Sequence, residues 1–154
     1  MATKGMHVVV ATDGSKQSLA AAKHLMSFAD PEKIAEISVV GVISPYASVA
    51  FADDISGRDD PDQSFRDAAN DAVATVAGVL EGWGPKVSKK VRSGSPANEI
   101  VKAATAVGAG LVVVASGGRG LSETILLGST AQRVQHSAPC PVLVVRPAKR
   151  KKRK

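Results

Sequence analysis

Residues 112 to 134, VVVASGGRGLSETILLGSTAQRV, decide the fold. The stretch opens as an apolar run of strand length and closes on Ala131 and Val134, which continue to Ala138 at helical spacing. Between the two stand Gly117, Gly118, Gly120 and Gly128, with Arg119 and the pair Ser129-Thr130. A glycine cluster is entropically costly to order, so it marks a turn or a close approach of backbone to something else.

Working outward, the same alternation of elements fills the chain. Met6 to Thr12 is a continuous apolar run ended by Asp13-Gly14-Ser15, as suits a strand covered on both faces. From Ser15, the spacing of Leu19, Ala22, Met26 and Ala29 predicts a helix that Asp30-Pro31 stops. Ala35 to Ile43 reads as the second strand. Phe65, Ala68, Ala69, Ala72, Val73, Val76, Val79, Leu80 and Trp83 form the strongest helical stripe, ended by Gly84-Pro85. Lys86 to Arg92 alternates like a half-exposed strand near a sheet edge. Ser95 is the expected N-cap of the next helix, with Pro96 at its first position and Ile100, Ala103, Ala104 and Val107 on its apolar face. Gly110 to Ser116 and Pro141 to Pro147 are the last two strands. Strands joined by crossover helices imply an α/β fold, a doubly wound five-stranded parallel sheet with helices on both faces. Residues 1–147 read as one domain and residues 148–154 as a basic, disordered tail.

Ser44 to Ser64 carries two prolines and five aspartates with no sustained period, and reads as a long loop. Such a loop is either a flap over a ligand or a tolerated surface insertion.

The net charge of +6 is a property of the tail. Residues 149–154 are all basic, and without them 14 basic residues stand against 14 acidic ones. A basic patch spread over the fold, as nucleic-acid binders carry, is therefore not expected. The tail alone offers a weak contact to nucleic acid or anionic lipid. No apolar run reaches the roughly 18 residues of a membrane span, and the N-terminus lacks a signal peptide's apolar region. Cys140 is the single cysteine, so no intrachain disulfide is expected. A cytoplasmic location follows.

In open α/β sheets, ligands sit beyond the carboxyl ends of the strands where the strand order reverses. Ala11-Thr12-Asp13-Gly14-Ser15 follows the first strand, and Ser116-Gly117-Gly118-Arg119-Gly120 follows the fourth. If those strands are neighbours, the two segments line one crevice. Gly128-Ser129-Thr130 then meets a helix N-terminus, which suits phosphate. Ser129 and Gln132 have the spacing of a capping box, so Ser129 reads either as a cap or as a ligand contact. The chain has no GxxxxGK[ST] motif, Gly118-Arg119-Gly120 fails the GxGxxG pattern at its third glycine, and no GxSxG elbow or metal-ligand spacing occurs.

These residues carry a resemblance. The Asp13-Gly14-Ser15 turn, the segment GRGLSETILLGSTAQRVQHSAPCPVLVVRP and the element order between them resemble the universal stress protein family over residues 6 to 147. The family's nucleotide-binding pattern, G-x2-G-x9-G-[ST], matches at Gly118, Gly128 and Ser129, while its first glycine falls on Ala115. The resemblance implies ATP, with or without Mg2+, as ligand. Ala11, Thr12 and Asp13 would hold the base and ribose, and Val42 would pack by the adenine. Gly118 and Arg119 would lie along the phosphates, which Gly128, Ser129 and Thr130 would receive. It also implies a homodimer through Val142, Leu143, Val144 and Val145, whose apolar edge a twofold pairing would cover. If Ala115 must adopt a left-handed backbone, it costs about 1–2 kcal/mol; if it is the last strand residue with ordinary dihedrals, its methyl matters only through contact with the ligand. Weakened binding is the expectation.

Catalysis is not expected beyond weak ATP hydrolysis. Glu123 and His136 stand in no recognisable water-activating arrangement, and Cys140 between two prolines reads as an inert thiol. The favoured reading is an ATP-binding stress-response regulatory module. A nucleotide-free dimeric scaffold and a slow ATP hydrolase or phosphotransfer protein stand as the alternatives.

Overall fold

The computed structural model describes residues 5–43, 61–117 and 128–146. Five strands run β1 (Met6–Thr12), β2 (Ile34–Ile43), β3 (Lys86–Ser93), β4 (Leu111–Ala115) and β5 (Val142–Val145). Four helices run α1 (Lys16–Phe28), α2 (Pro61–Leu80), α3 (Pro96–Val107) and α4 (Ser129–Ser137). All strand pairs are parallel, in the order β3-β2-β1-β4-β5. The doubly wound α/β sheet is therefore as expected. The chain moves outward from β1 through β2 to β3, then returns to the other side of β1, so the order reverses between β1 and β4.

The strands divide their side chains between two cores. Val8, Val10, Ile37, Val39 and Val113 face α1 and α2, packing with Ala21, Leu25, Val73 and Leu80. Val9, Ala11, Val40, Val112 and Val114 face α3 and α4, packing with Ile100, Ala104, Ala131 and Val134. The alternation is that of a strand pleat buried on both faces, which is why Val8 to Ala11 shows no polar position. Gly41 lets α2 lie close to β2, since a Cβ there would stand 2.9 Å from Val73 Cγ1. Ser38, almost wholly buried in β2, is bonded to His7 Nε2 at 2.7 Å. Burial is the main cause that holds His7 below its ordinary pKa.

Two boundaries and the bonding of one cap differ from the expectation. α2 begins at Pro61, so the last four residues of the expected Ser44–Ser64 loop are helical. Proline is well tolerated in a helix's first turn, because the amide hydrogen it lacks has no intrahelical partner there. Trp83 lies beyond α2, in a turn where its amide donates to the Leu80 carbonyl, yet it packs on the same core as the helical stripe. Ser95 is the N-cap of α3 by position, but its side chain makes no capping bond. Residues 44–60, Gly118, Arg119, Glu123 and the tail lie outside the described residues.

Candidate functional site

The site is built where β1 and β4 end side by side. After Thr12 the chain turns sharply, with Gly14 at φ +82°, a value that glycine adopts without strain. The Gly14 amide donates to Thr12 Oγ1 at 3.1 Å, and the Ser15 amide donates to Asp13 Oδ1 at 2.9 Å. Ser15 then caps α1, its hydroxyl accepting from the Ser18 amide at 3.1 Å. The turn is thus fixed by its own side chains, and Asp13 is held at the end of β1 with one oxygen engaged.

On the other side of the switch point, the Gly128 amide donates to the Ser116 carbonyl at 2.6 Å. This bond brings the start of α4 against the end of β4. Gly128 is the N-cap of α4, with φ −64° and ψ 154°. Ser129 is therefore the first residue inside the helix, and no side chain caps it. The expected capping box between Ser129 and Gln132 is not formed. The first intrahelical bond runs instead from the Gln132 amide to the Gly128 carbonyl, at 3.0 Å. The amides of Ser129, Thr130 and Ala131 precede it and have no intrahelical acceptor, which gives this end its partial positive charge.

A cavity of about 380 Å³ lies between these two ends. Ala11, Thr12, Asp13, Val42, Ala115, Gly128, Ser129 and Thr130 all line it, so eight of the ten anticipated residues come together around one space. Gly118 and Arg119 are the other two and lie outside the described residues. Ser18, Pro96, Ile100, Val114 and Ser116 complete most of the remaining wall. Val42, Ile100 and Val114 supply its apolar part, on the α3 and α4 side of the sheet.

The wall contributed by α3 is set by an ionic clamp that the sequence did not announce. Arg92 Nε donates to Glu99 Oε1 at 2.9 Å, and Lys102 Nζ donates to Oε2 at 3.3 Å. The Arg92 hydrogen bond, more than any other influence, holds the Glu99 carboxyl below its ordinary pKa. Glu99 in turn covers Gly94, where φ is +142° and a Cβ would stand 2.9 Å from Oε2. The Gly94 amide donates to the Ile43 carbonyl at 2.9 Å, so the turn into α3 is anchored to the end of β2 beside Val42.

Ala115 resolves differently from the left-handed alternative. No non-glycine residue among those described has a positive φ, and Ala115 pairs with Val145 as the last residue of β4. Its methyl packs with the α1-side core, whereas Val114 belongs to the opposite one. The backbone penalty considered for alanine at this position does not arise. His136 is exposed near the end of α4, and Cys140 is half-buried with its thiol pKa raised by burial.

A crevice at the switch point of a doubly wound sheet, apolar along one wall and ending on helix amides without intrahelical acceptors, has the chemistry to hold a small molecule with an anionic end. The comparisons place the chain more closely. The universal stress protein family model matches residues 6–146, and the chain belongs to that family. It is 37% identical over 145 residues to universal stress protein MJ0531 of Methanocaldococcus jannaschii, covering 93% of this chain and 83% of that one. Among solved structures, the protein MJ0577 superposes with a TM-score of 0.77 at 27% identity, covering 96% of this chain and 99% of the other. A universal stress protein family protein of Arabidopsis thaliana with AMP bound superposes with a TM-score of 0.66 at 19% identity, covering 93% and 92%.

Proposed function

We propose that the chain is an ATP-binding regulatory module of the stress response, with the nucleotide lying across the switch point. The observation that carries this reading is the polarity of the crevice. Asp13 and Thr12 stand at the β1 end and the α4 amides that have no intrahelical acceptor at the other, with Val42, Ile100 and Val114 between. A nucleotide matches that order, with base and ribose toward β1 and β2 and phosphates toward Gly128, Ser129 and Thr130. Gly118 and Arg119 would run along the phosphates, and Mg2+ would accompany them. AMP in the Arabidopsis relative supports the adenine nucleotide class.

Occupancy is the regulated quantity, and catalysis is not the function. Asp13 is the one titratable side chain among the described residues that line the crevice, and its Oδ1 already accepts from the Ser15 amide. A general acid–base pair would need a second such group. The functional unit is the domain of residues 1–147, acting in the cytoplasm as a homodimer through β5, with the basic residues 148–154 as an appendage.

Equilibrium dialysis of the nucleotide-stripped protein against labelled ATP, with phosphate release followed in parallel, tests this. Saturable uptake of about one ATP per chain without protein-stimulated phosphate release is expected. No uptake at millimolar ATP would favour the nucleotide-free scaffold, and fast release lost in Asp13→Ala would favour the hydrolase.

A further inference from the structure

We propose that Ser18 sets the hydrogen-bonding sense of the crevice at its β1 end, and that the site thereby selects ribonucleotides over deoxyribonucleotides. The inference rests on the adenine nucleotide reading and adds to it a residue that no motif marked.

The protons of this end of the crevice can be counted. Ser18 Oγ donates its one hydrogen to the Ser15 carbonyl, at 2.9 Å. Thr12 Oγ1 lies 2.7 Å from Ser18 Oγ. With the Ser18 hydrogen committed, that short bond runs from Thr12 to Ser18. Thr12 Oγ1 also accepts from the Gly14 amide at 3.1 Å. What Thr12 has left is a lone pair. Asp13 beside it is a carboxylate, which accepts and does not donate. Both side chains at this end of the crevice therefore accept hydrogen bonds only.

A ligand that satisfies them must bring donors here and its negative charge to the far end. The hydroxyl groups of a ribose are such donors. Thr12 is 7% and Ser18 3% exposed, so water is a poor substitute partner for either. Asp13 is exposed and can turn to water, whereas a ligand lacking the ribose hydroxyl that meets Thr12 would leave that buried acceptor's remaining lone pair unpaired. Sites that bond a ligand hydroxyl in this way reject the analogue without it strongly. Without the Ser18 hydroxyl, the Thr12 hydrogen would be free to turn, and that discrimination would weaken. Ser18 acts through Thr12 and is a positioning residue.

The experiment is a titration of the full chain with ATP, 2′-deoxy-ATP and 3′-deoxy-ATP, in the wild type, Ser18→Ala and Thr12→Val. We expect ATP to bind the wild type at least about tenfold more tightly than one of the deoxy compounds. That ratio should fall by about threefold or more in Ser18→Ala. Thr12→Val, which removes the acceptor itself by a substitution in β1, should lower the ratio likewise and serves where Ser18→Ala does not fold. A merely structural role for Ser18 would lower the thermal midpoint and leave the ratio unchanged, which would overturn the proposal. Equal binding of all three nucleotides by the wild type would also overturn it while leaving the adenine nucleotide reading intact. No binding of any of them would remove both.

Discussion

The Gly128 amide donates to the Ser116 carbonyl at 2.6 Å, and this bond joins the two ends of the glycine-rich segment. It makes Gly128 the N-cap of α4 and moves Ser129 inside the helix, where its side chain caps nothing. Losing a capping hydroxyl typically costs about 1 kcal/mol. Ser129→Ala should therefore keep stability within about 0.5 kcal/mol, as surface substitutions do, while weakening ATP binding several-fold. Denaturant unfolding and nucleotide titration on the same preparations check both halves. A stability loss of the capping size with unchanged affinity would return Ser129 to a structural role.

Ala115 gives the converse case. Its backbone is ordinary strand and its methyl packs with the α1-side core. Ala115→Gly should restore the family pattern yet change ATP affinity by no more than about threefold. Its cost should fall on stability instead, by about 0.5–1 kcal/mol, the usual price of glycine within a strand. A large gain in affinity would show that the methyl meets the ligand.

The Glu99 clamp carries a pH dependence. Its carboxyl is held below the ordinary value of 4.5, first by the Arg92 hydrogen bond. A depressed carboxyl contributes its stability above the unfolded-state pKa and loses it as pH falls through the folded one. Glu99→Gln should thus lower stability at neutral pH by about 0.5–1 kcal/mol, the scale of a solvent-screened pair. Thermal midpoints of wild type and variant should converge as pH drops below 4.5. A gap that persists into acid would assign the effect to packing over Gly94.

The edge strand predicts assembly. The Ser116 amide donates to the Val145 carbonyl, and the Val112 amide to that of Pro141 just before β5, so these two residues turn toward β4. By alternation Val142 and Val144 turn their amides outward. β3, at the other edge, carries Lys86, Lys89, Lys90 and Arg92, the kind of charge that blocks strand addition. Val144→Pro removes an outward donor and is tolerable on an edge. Light scattering after size exclusion should show a dimer for the wild type and a monomer for the variant. A wild-type monomer would contradict the edge pairing.

Much of this was legible beforehand because apolar periodicity is a direct imprint of burial. Met6 to Thr12 and residues 110 to 116 read as central strands since both faces of each are covered, whereas their adjacency stood only as a condition, which the strand order meets. The cap at Gly128 was misplaced by one residue because serine is a common cap and the S-x-x-Q spacing matched by composition, while the decisive Ser116–Gly128 bond is long-range. Pro61 and its neighbours looked like loop because prolines and aspartates serve turns and helix starts alike. Ser18 and the Arg92–Glu99 pair were invisible for a different reason. A serine inside a helix and charges on separate elements acquire meaning only when the fold sets their partners.

Under the proposed function, the crevice between β1 and β4 receives a nucleotide with its phosphates at α4. Calorimetric titration of the nucleotide-stripped protein with Mg-ATP, beside Gly128→Val, tests it most directly. Gly128 lines the cavity and has a φ that any residue adopts, so valine there adds bulk to the cavity wall without straining its own dihedrals. The account predicts one ATP per chain for the wild type and a loss of about tenfold or more in the folded variant. Equal affinities, or no heat from a folded wild-type protein at millimolar ATP, would contradict it.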